Sequence, residues 1–222
     1  MPRYRTRSWR AFDPAAHAAG GVAPTAKAVH AVRLTAAATV RILGIDPGSQ
    51  RTGFGVIECG GADSKPLVHG CIAAGSGGSL SERLRRIFEG VQQLIDRYRP
   101  DEVAIERVFV NRNVESALKL GHARGAALCA VPTATPVFEY TPRAVKLAVV
   151  GFGGAEKMQV AHMIRTLLTL EEKLSADASD ALAVAVCHAH TRRVHALANS
   201  SGITVAIGGA AAGAHRLPGR AR

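Results

Sequence analysis

The apolar positions of this chain first alternate as they do in strands and then recur as they do in helices. The segments RILGID, GFGVIE and LVHGCIAA, between residues 41 and 74, are short apolar runs separated by turn residues. They predict three strands joined as hairpins. From residue 84 to 95 an apolar side chain recurs every three or four positions, which predicts a helix. Ser79 or Ser81 would cap this helix, and Pro100 would end it.

The second half of the chain alternates short strands with helices. EVAIE, at 102–106, and PVFEY, at 136–140, predict two further strands. A helix is predicted between them, at residues 114–130. Thr141 and Pro142 stand where the cap and the first turn of another helix are expected.

Two more helices complete the pattern. Apolar residues from 160 to 168 predict an amphipathic helix, and a last helix is predicted to begin near Ser175 or Ala176. Three strands connected as hairpins, followed by alternating helices and strands, predict one α/β domain. Helices flank a five-stranded mixed sheet in this prediction.

Charge separates the ends of the chain from its middle. The 222 residues carry a formal charge of +11, which is typical of proteins that bind polyanions. Residues 1–40 contain six Lys or Arg and one Asp, and residues 191–222 contain five Arg and no acid. Residues 41–190 have a net charge of only +1. The middle of the chain must therefore bind any polyanion through local patches.

Composition also predicts the domain boundaries. Residues 1–40 are rich in Ala and Arg without a sustained period, which predicts a disordered N-terminal extension. Alternatively, translation starts near Val40 and the preceding segment is not made. Residues 41–191 are the predicted folded domain. Residues 192–222, rich in Gly, Ala and Arg, are predicted to be a flexible basic tail.

The cysteines and histidines do not indicate a metal centre. The four cysteines form no CxxC pair, which favours a reducing compartment over a disulfide framework. Cys187, His188 and His190 are close in sequence but lack a second ligand pair, so we interpret them as packing and surface residues. No apolar run approaches the length of a membrane span.

Four acids stand at the ends of predicted elements. Asp46 and Glu106 end the first and fourth strands, and Asp177 and Asp180 have i, i+3 spacing at the start of the last helix. Each alone is compatible with a cap or a strand end, but together they would meet at one edge of the sheet. Divalent cations relieve repulsion among carboxylates, and two ions about 4 Å apart can activate a water and stabilise a leaving oxygen. The pattern predicts metal-dependent phosphodiester hydrolysis.

Four blocks in the same order resemble a known family. They are ILGIDPGSQRTGFGVI, AIERVFVNRNVESALKLGHARGAAL, PVFEYTPRAVKLAVVGFGGAEKMQV and DASDALAVA. Residues 41–190 thereby resemble the RuvC family of Holliday junction resolvases, which have a ribonuclease H-like fold. The resemblance implies that the four acids above are catalytic and bind Mg²⁺ or Mn²⁺, with two ions in each subunit. It implies that Phe109 stacks on an opened base of the junction and that Lys146 and Lys157 contact DNA near the cleaved phosphate.

The function implied by the resemblance is resolution of four-way DNA junctions in recombination and repair. Paired, symmetric nicks would leave a 5′ phosphate and a 3′ hydroxyl. A homodimer, packed through the helix that carries Gly121 and Gly125, would supply the two cuts. The family also implies coupling to the RuvA and RuvB branch-migration proteins and a place in the bacterial cytoplasm.

Three other functions compete with this interpretation. Another ribonuclease H-like nuclease or a transposase-like enzyme would lack the RVFVNRNVESALKLGHARG and GAEKMQV blocks. A sugar kinase or actin-like ATPase also has a GxDxG loop after its first strand, but it needs a duplicated subdomain and a second such loop. A non-catalytic nucleic-acid binder would leave the four acids unexplained.

Overall fold

The computed structural model describes residues 39–60, 63–107 and 114–200. These residues form five strands and five helices. In chain order they are β1 (Val40–Asp46), β2 (Arg51–Gly60), β3 (Asp63–Ala73), α1 (Leu80–Tyr98), β4 (Glu102–Glu106), α2 (Val114–Cys129), β5 (Val137–Tyr140), α3 (Pro142–Val150), α4 (Lys157–Leu167) and α5 (Ala176–Ser200).

The strands form one mixed sheet in the order β3-β2-β1-β4-β5. β1 pairs with β2, and β2 with β3, in antiparallel hairpins. β1 and β4 are parallel, as are β4 and β5, with a helix in each crossover. The predicted α/β fold with a five-stranded mixed sheet is confirmed.

Each face of the sheet has its own core because strand side chains alternate between faces. On β1, Ile42 belongs to the core made with α3, α4 and α5. Leu43 and Ile45 belong to the opposite core, made with α1 and α2. On β4, Ala104 and Ile105 divide between the two cores in the same way. The parity of a strand residue therefore decides which helices it meets.

Helix α5 lies unusually close to the sheet because glycines face it. A Cβ at Gly44 would clash with the Ala181 carbonyl oxygen and lie 2.8 Å from the Ala185 Cβ. A Cβ at Gly53 would clash with the Asp177 carbonyl oxygen. Any larger side chain at these two positions would push the first turns of α5 away from the sheet.

The predicted helix starts are confirmed by their hydrogen bonds. Ser79 rather than Ser81 caps α1, and its hydroxyl accepts from the Glu82 backbone N–H in a capping box. The Thr141 hydroxyl accepts from the backbone N–H of Ala144, and Pro142 occupies the first turn of α3. These caps satisfy backbone donors that a helix start otherwise leaves unpaired.

Two predicted boundaries differ from the structure. Val40 belongs to β1, where it pairs with Cys59, and α5 continues to Ser200. The predicted boundary between residues 191 and 192 therefore falls inside a helix, because the apolar period fades before the helix ends. The rest of the predicted extension and tail, 1–38 and 201–222, lies outside the described residues. Within those described, no helix is long and apolar enough to cross a membrane.

Candidate active site

Strand parity brings the strand-end acids to the α5 side of the sheet. Asp46 is four residues after Ile42 and two after Gly44, and Glu106 is two residues after Ala104. Residues an even number of positions apart share a strand face, so both acidic side chains point towards α5. β1 and β4 are paired up to Ile45 and Ile105, and the two acids are the next residues on adjacent strands.

Asp180, on the first turns of α5, completes a group of three carboxylates. Together with Asp46 and Glu106 it lines a cavity of about 120 Å³. Lys146 from α3 and Lys157 from α4 line the same cavity. Five of the seven residues named from the sequence are therefore found at one place.

Ionised carboxylates are electrostatically unfavourable in this cavity. Burial, followed by the negative charges of Glu106 and Asp180, raises the pKa of Asp46 to about 7, although Lys157 opposes the shift. Burial and the charge of Asp180 also raise the pKa of Glu106. Because burial and like charges disfavour ionised carboxylates, the group is costly without added positive charge.

Asp46 does not act as a turn-closing residue. The turn after β1 is held by the Thr52 hydroxyl, which donates to the Gly48 carbonyl oxygen at 3.0 Å. No hydrogen bond joins the Asp46 carboxylate to another residue of the described ranges. Its place at the end of β1 is therefore not explained by local turn chemistry.

Two cations already pair with acids from the first turns of α5. Lys157 Nζ donates to Asp180 Oδ2 at 2.8 Å, and this bond raises the pKa of Lys157. Arg51 Nε, at the start of β2, donates to Asp177 Oδ2 at 2.7 Å. Asp177 does not line the cavity, although its charge contributes to the raised pKa of Asp46. The structure thus brings three of the four predicted acids into the cavity and turns the fourth towards Arg51.

The donor set fits a divalent cation by its chemistry, but the carboxylates are not arranged around one ion position. Carboxylate oxygens are the ligands that Mg²⁺ prefers, and because burial and the neighbouring acids raise the pKa of Asp46, an added cation would favour its ionised form. Within residues 39–60, 63–107 and 114–194, the structure contains no group of three His, Cys, Asp or Glu side chains arranged to hold one metal ion.

No sequence pattern indicated the partner of Asp177. Arg51 is 126 positions away along the chain, and its side chain reaches α5 only because β2 crosses the start of that helix. The close approach at Gly53, two residues further along β2, brings the two elements together. This contact depends on sheet register and helix packing and has no local sequence pattern.

The histidine cluster of α5 belongs to the core rather than to the cavity. His188 is buried, with Nε2 2.6 Å from Glu102 Oε2 and Nδ1 2.6 Å from the Tyr140 hydroxyl. Arg192 also donates to Glu102, at 2.6 Å. Cys187 is buried beside them. Packing therefore accounts for the buried part of this cluster, while the ionic network around Glu102 was not predicted.

The seventh predicted site residue, Phe109, lies outside the described residues. Its proposed contact with an opened base stays a prediction. Lys146 and Lys157 are found where the sequence places them, but their contact with DNA also stays a prediction. Lys157 is exposed over 78% of its side chain, so its ammonium group is free to turn towards solvent.

This fold and site define a ribonuclease H-like nuclease, with acids at the ends of two parallel strands and on the facing helix. The chain matches the family described as "Crossover junction endodeoxyribonuclease RuvC" over residues 42–188. It therefore belongs to the RuvC family, as the sequence resemblance indicated.

Curated relatives agree with this membership. The crossover junction endodeoxyribonuclease RuvC of Xanthomonas axonopodis pv. citri is 55% identical over 154 residues, which cover 68% of this chain and 88% of the relative. The protein of the same name from Hahella chejuensis is 52% identical over 155 residues, covering 69% and 90%.

Solved structures show the same fold. Thermus thermophilus RuvC in complex with a Holliday junction substrate is 38% identical with a TM-score of 0.67, covering 70% of this chain and 96% of that one. A yeast mitochondrial Holliday junction resolvase has a TM-score of 0.55 at 11% identity, covering 73% and 84%. At that identity the likeness concerns the fold alone.

Proposed function

We propose that this chain is a metal-dependent endodeoxyribonuclease that resolves four-way DNA junctions by paired, symmetric nicks, in recombination and repair. The observation that carries the proposal is the shared cavity of Asp46, Glu106 and Asp180 with two lysines. The Thermus relative, solved with a Holliday junction substrate, supports the choice of DNA. The products would be a 5′ phosphate and a 3′ hydroxyl.

The four acids would share one part in this proposal. Asp46, Glu106, Asp177 and Asp180 would hold Mg²⁺, in two ions for each subunit, with Mn²⁺ as a substitute. When bound, these ions supply an activated water and stabilise the leaving 3′ oxygen. Asp46 is the proposed central ligand because it shares the cavity with Glu106 and Asp180.

The two lysines would orient the phosphate. Lys146 and Lys157 line the same cavity as the carboxylates, so a phosphate there would meet positive charge beside the carboxylates. Preorganised positive groups are effective where negative charge develops in the transition state. Phe109 completes the proposed DNA contacts by stacking on an opened base.

A homodimer would place two such sites on one junction. On α2, Val114 and Leu118 are 63% and 58% exposed, and Gly121 and Gly125 continue the same helix face by i+3 and i+4 steps. A Cβ at either glycine would meet nothing within 4 Å. We propose that a second copy packs here, and we expect Leu118→Glu to shift the protein to a monomer in analytical ultracentrifugation.

The proposed partners beyond DNA rest on family membership. Coupling to RuvA and RuvB branch-migration proteins and a cytoplasmic place in a bacterium are part of the proposal. A pull-down of the full-length chain with purified RuvA and RuvB on junction DNA tests the first of these.

Cleavage of a labelled synthetic four-way junction tests the central proposal. The assay compares the junction with a linear duplex of the same sequence, with Mg²⁺ or EDTA, for the native chain and Asp46→Asn. Asp96→Asn is a matched control because Asp96 is exposed on α1. We expect symmetric nicks at the junction that need Mg²⁺, persist in Asp96→Asn and disappear in Asp46→Asn while junction binding continues.

Other results would redirect the assignment. Equal cutting of the duplex or of an RNA hybrid would indicate a different ribonuclease H-like nuclease. Cleavage that survives Asp46→Asn would contradict the proposed site, and binding without any cleavage would leave a nucleic-acid binder.

A further inference from the structure

The ion pair between Arg51 and Asp177 joins the start of β2 to the first turn of α5. Arg51 Nε lies 2.7 Å from Asp177 Oδ2, a short charge-assisted contact. The hydrogen bond to Asp177 raises the pKa of Arg51, so the guanidinium stays charged. The Asp177 backbone is fixed as well, because its carbonyl oxygen packs against Gly53.

This pair sets the orientation of one carboxylate beside the cavity. Asp177 and Asp180 are three residues apart on α5 and share a helix face, yet only Asp180 lines the cavity. Asp177 remains close enough to raise the pKa of Asp46. Since its backbone is fixed, rotation of its side chain away from Arg51 is the available route into the group of carboxylates.

Arg51 is accessible enough to act as a releasable partner. Its side chain is 57% exposed, and that of Asp177 is 31% exposed. Surface ion pairs of this kind are weak. A divalent cation that competes for Asp177 can therefore displace Arg51 at a small cost.

We propose that Arg51 is a positioning residue that holds Asp177 outside the carboxylate cavity and thereby weakens divalent-ion binding. The inference rests on the proposed function, because it assumes that these carboxylates bind metal. Arg51 acts through Asp177 and contacts none of the other three acids in the described structure. Its removal frees a fourth carboxylate for the ion.

Mn²⁺ binding to the full-length protein without DNA tests this role. The free Mn²⁺ signal in electron paramagnetic resonance gives the dissociation constant directly, without any cleavage. We expect Arg51→Gln to lower this constant by about 1.5- to fivefold, the factor that a surface ion pair corresponds to. Arg51→Lys keeps the charge and should remain close to the native value. Arg85→Gln removes an equal charge from an exposed position on α1 and should have no effect.

A double-mutant cycle separates positioning from general electrostatics. If Arg51 acts through Asp177, Arg51→Gln has no effect in the Asp177→Asn background. An equal gain of affinity in both backgrounds would overturn the inference, as would an unchanged constant in the single variant.

The Asp46→Asn variant in the same titration distinguishes failure of the Arg51 inference from failure of the proposed function. If it weakens Mn²⁺ binding while Arg51→Gln changes nothing, the metal site stands and the positioning role is wrong. If the native chain and Asp46→Asn bind Mn²⁺ equally, the proposed function itself fails, and the inference about Arg51 fails with it.

Discussion

Replacing Asp46 with Asn should stabilise the folded protein, and the gain should grow with pH. In the folded chain, burial and neighbouring carboxylates raise the pKa of Asp46 from 3.8 to about 7. Between these values the folded state holds a proton that the unfolded chain has released, so stability falls as pH rises from about 4 to about 7. Asn carries no such charge and avoids the loss.

The size of the effect follows from the shift. Each pH unit between the two pKa values corresponds to about 1.4 kcal/mol. From pH 5 to pH 7 the native chain should lose about 2 kcal/mol of unfolding free energy relative to Asp46→Asn, because Asp46 is half ionised at a pH equal to its pKa of about 7, and the difference should then level off.

Urea denaturation in EDTA at constant ionic strength measures the difference at pH 5, 6, 7 and 8. Asp96→Asn, at an exposed position of α1, controls for the loss of one negative charge and should show a small difference that does not change with pH. A pH-independent difference for Asp46→Asn, or a variant less stable than the native chain at pH 8, would refute the argument. The stabilised variant should nevertheless lose metal-dependent cleavage.

Three further substitutions test how the fold holds the site. Gly53→Ala should cost about 1–3 kcal/mol of unfolding free energy and reduce junction cleavage because the added Cβ meets the backbone of α5. Gly77→Ala is the control: its added Cβ would meet no atom within 4 Å, so stability and cleavage should both change little. Glu102→Gln should cost about 1–3 kcal/mol in urea denaturation at pH 7 because it weakens the buried bond to His188. Burial alone would raise the pKa of Glu102, but its hydrogen bonds hold that pKa low. The difference in unfolding free energy between the native chain and Glu102→Gln should therefore shrink as pH falls below about 4. Thr141→Ala should lower the melting temperature by removing the α3 cap, at about 0.5–2 kcal/mol.

Much of the site could be predicted because it depends on local rules. Alternation along β1 and β4 puts Asp46 and Glu106 on one face, and the i, i+3 spacing puts Asp177 and Asp180 on one side of α5. Ser79 bonds to a backbone group within three residues, so a capped helix start was visible in the sequence, which left open only the choice between Ser79 and Ser81.

Contacts between distant segments were decided only by the tertiary structure. Asp177 meets Arg51 across 126 positions, and Glu102 meets His188 across 86. Such pairs depend on strand register, on the angle at which α5 crosses the sheet and on glycines that let it approach. None of these has a periodic signature, because each is set by packing between elements. The sequence alone therefore determined on which side of its own strand or helix each acid lies, and the folded structure decided which of them enter the cavity and which cations hold them.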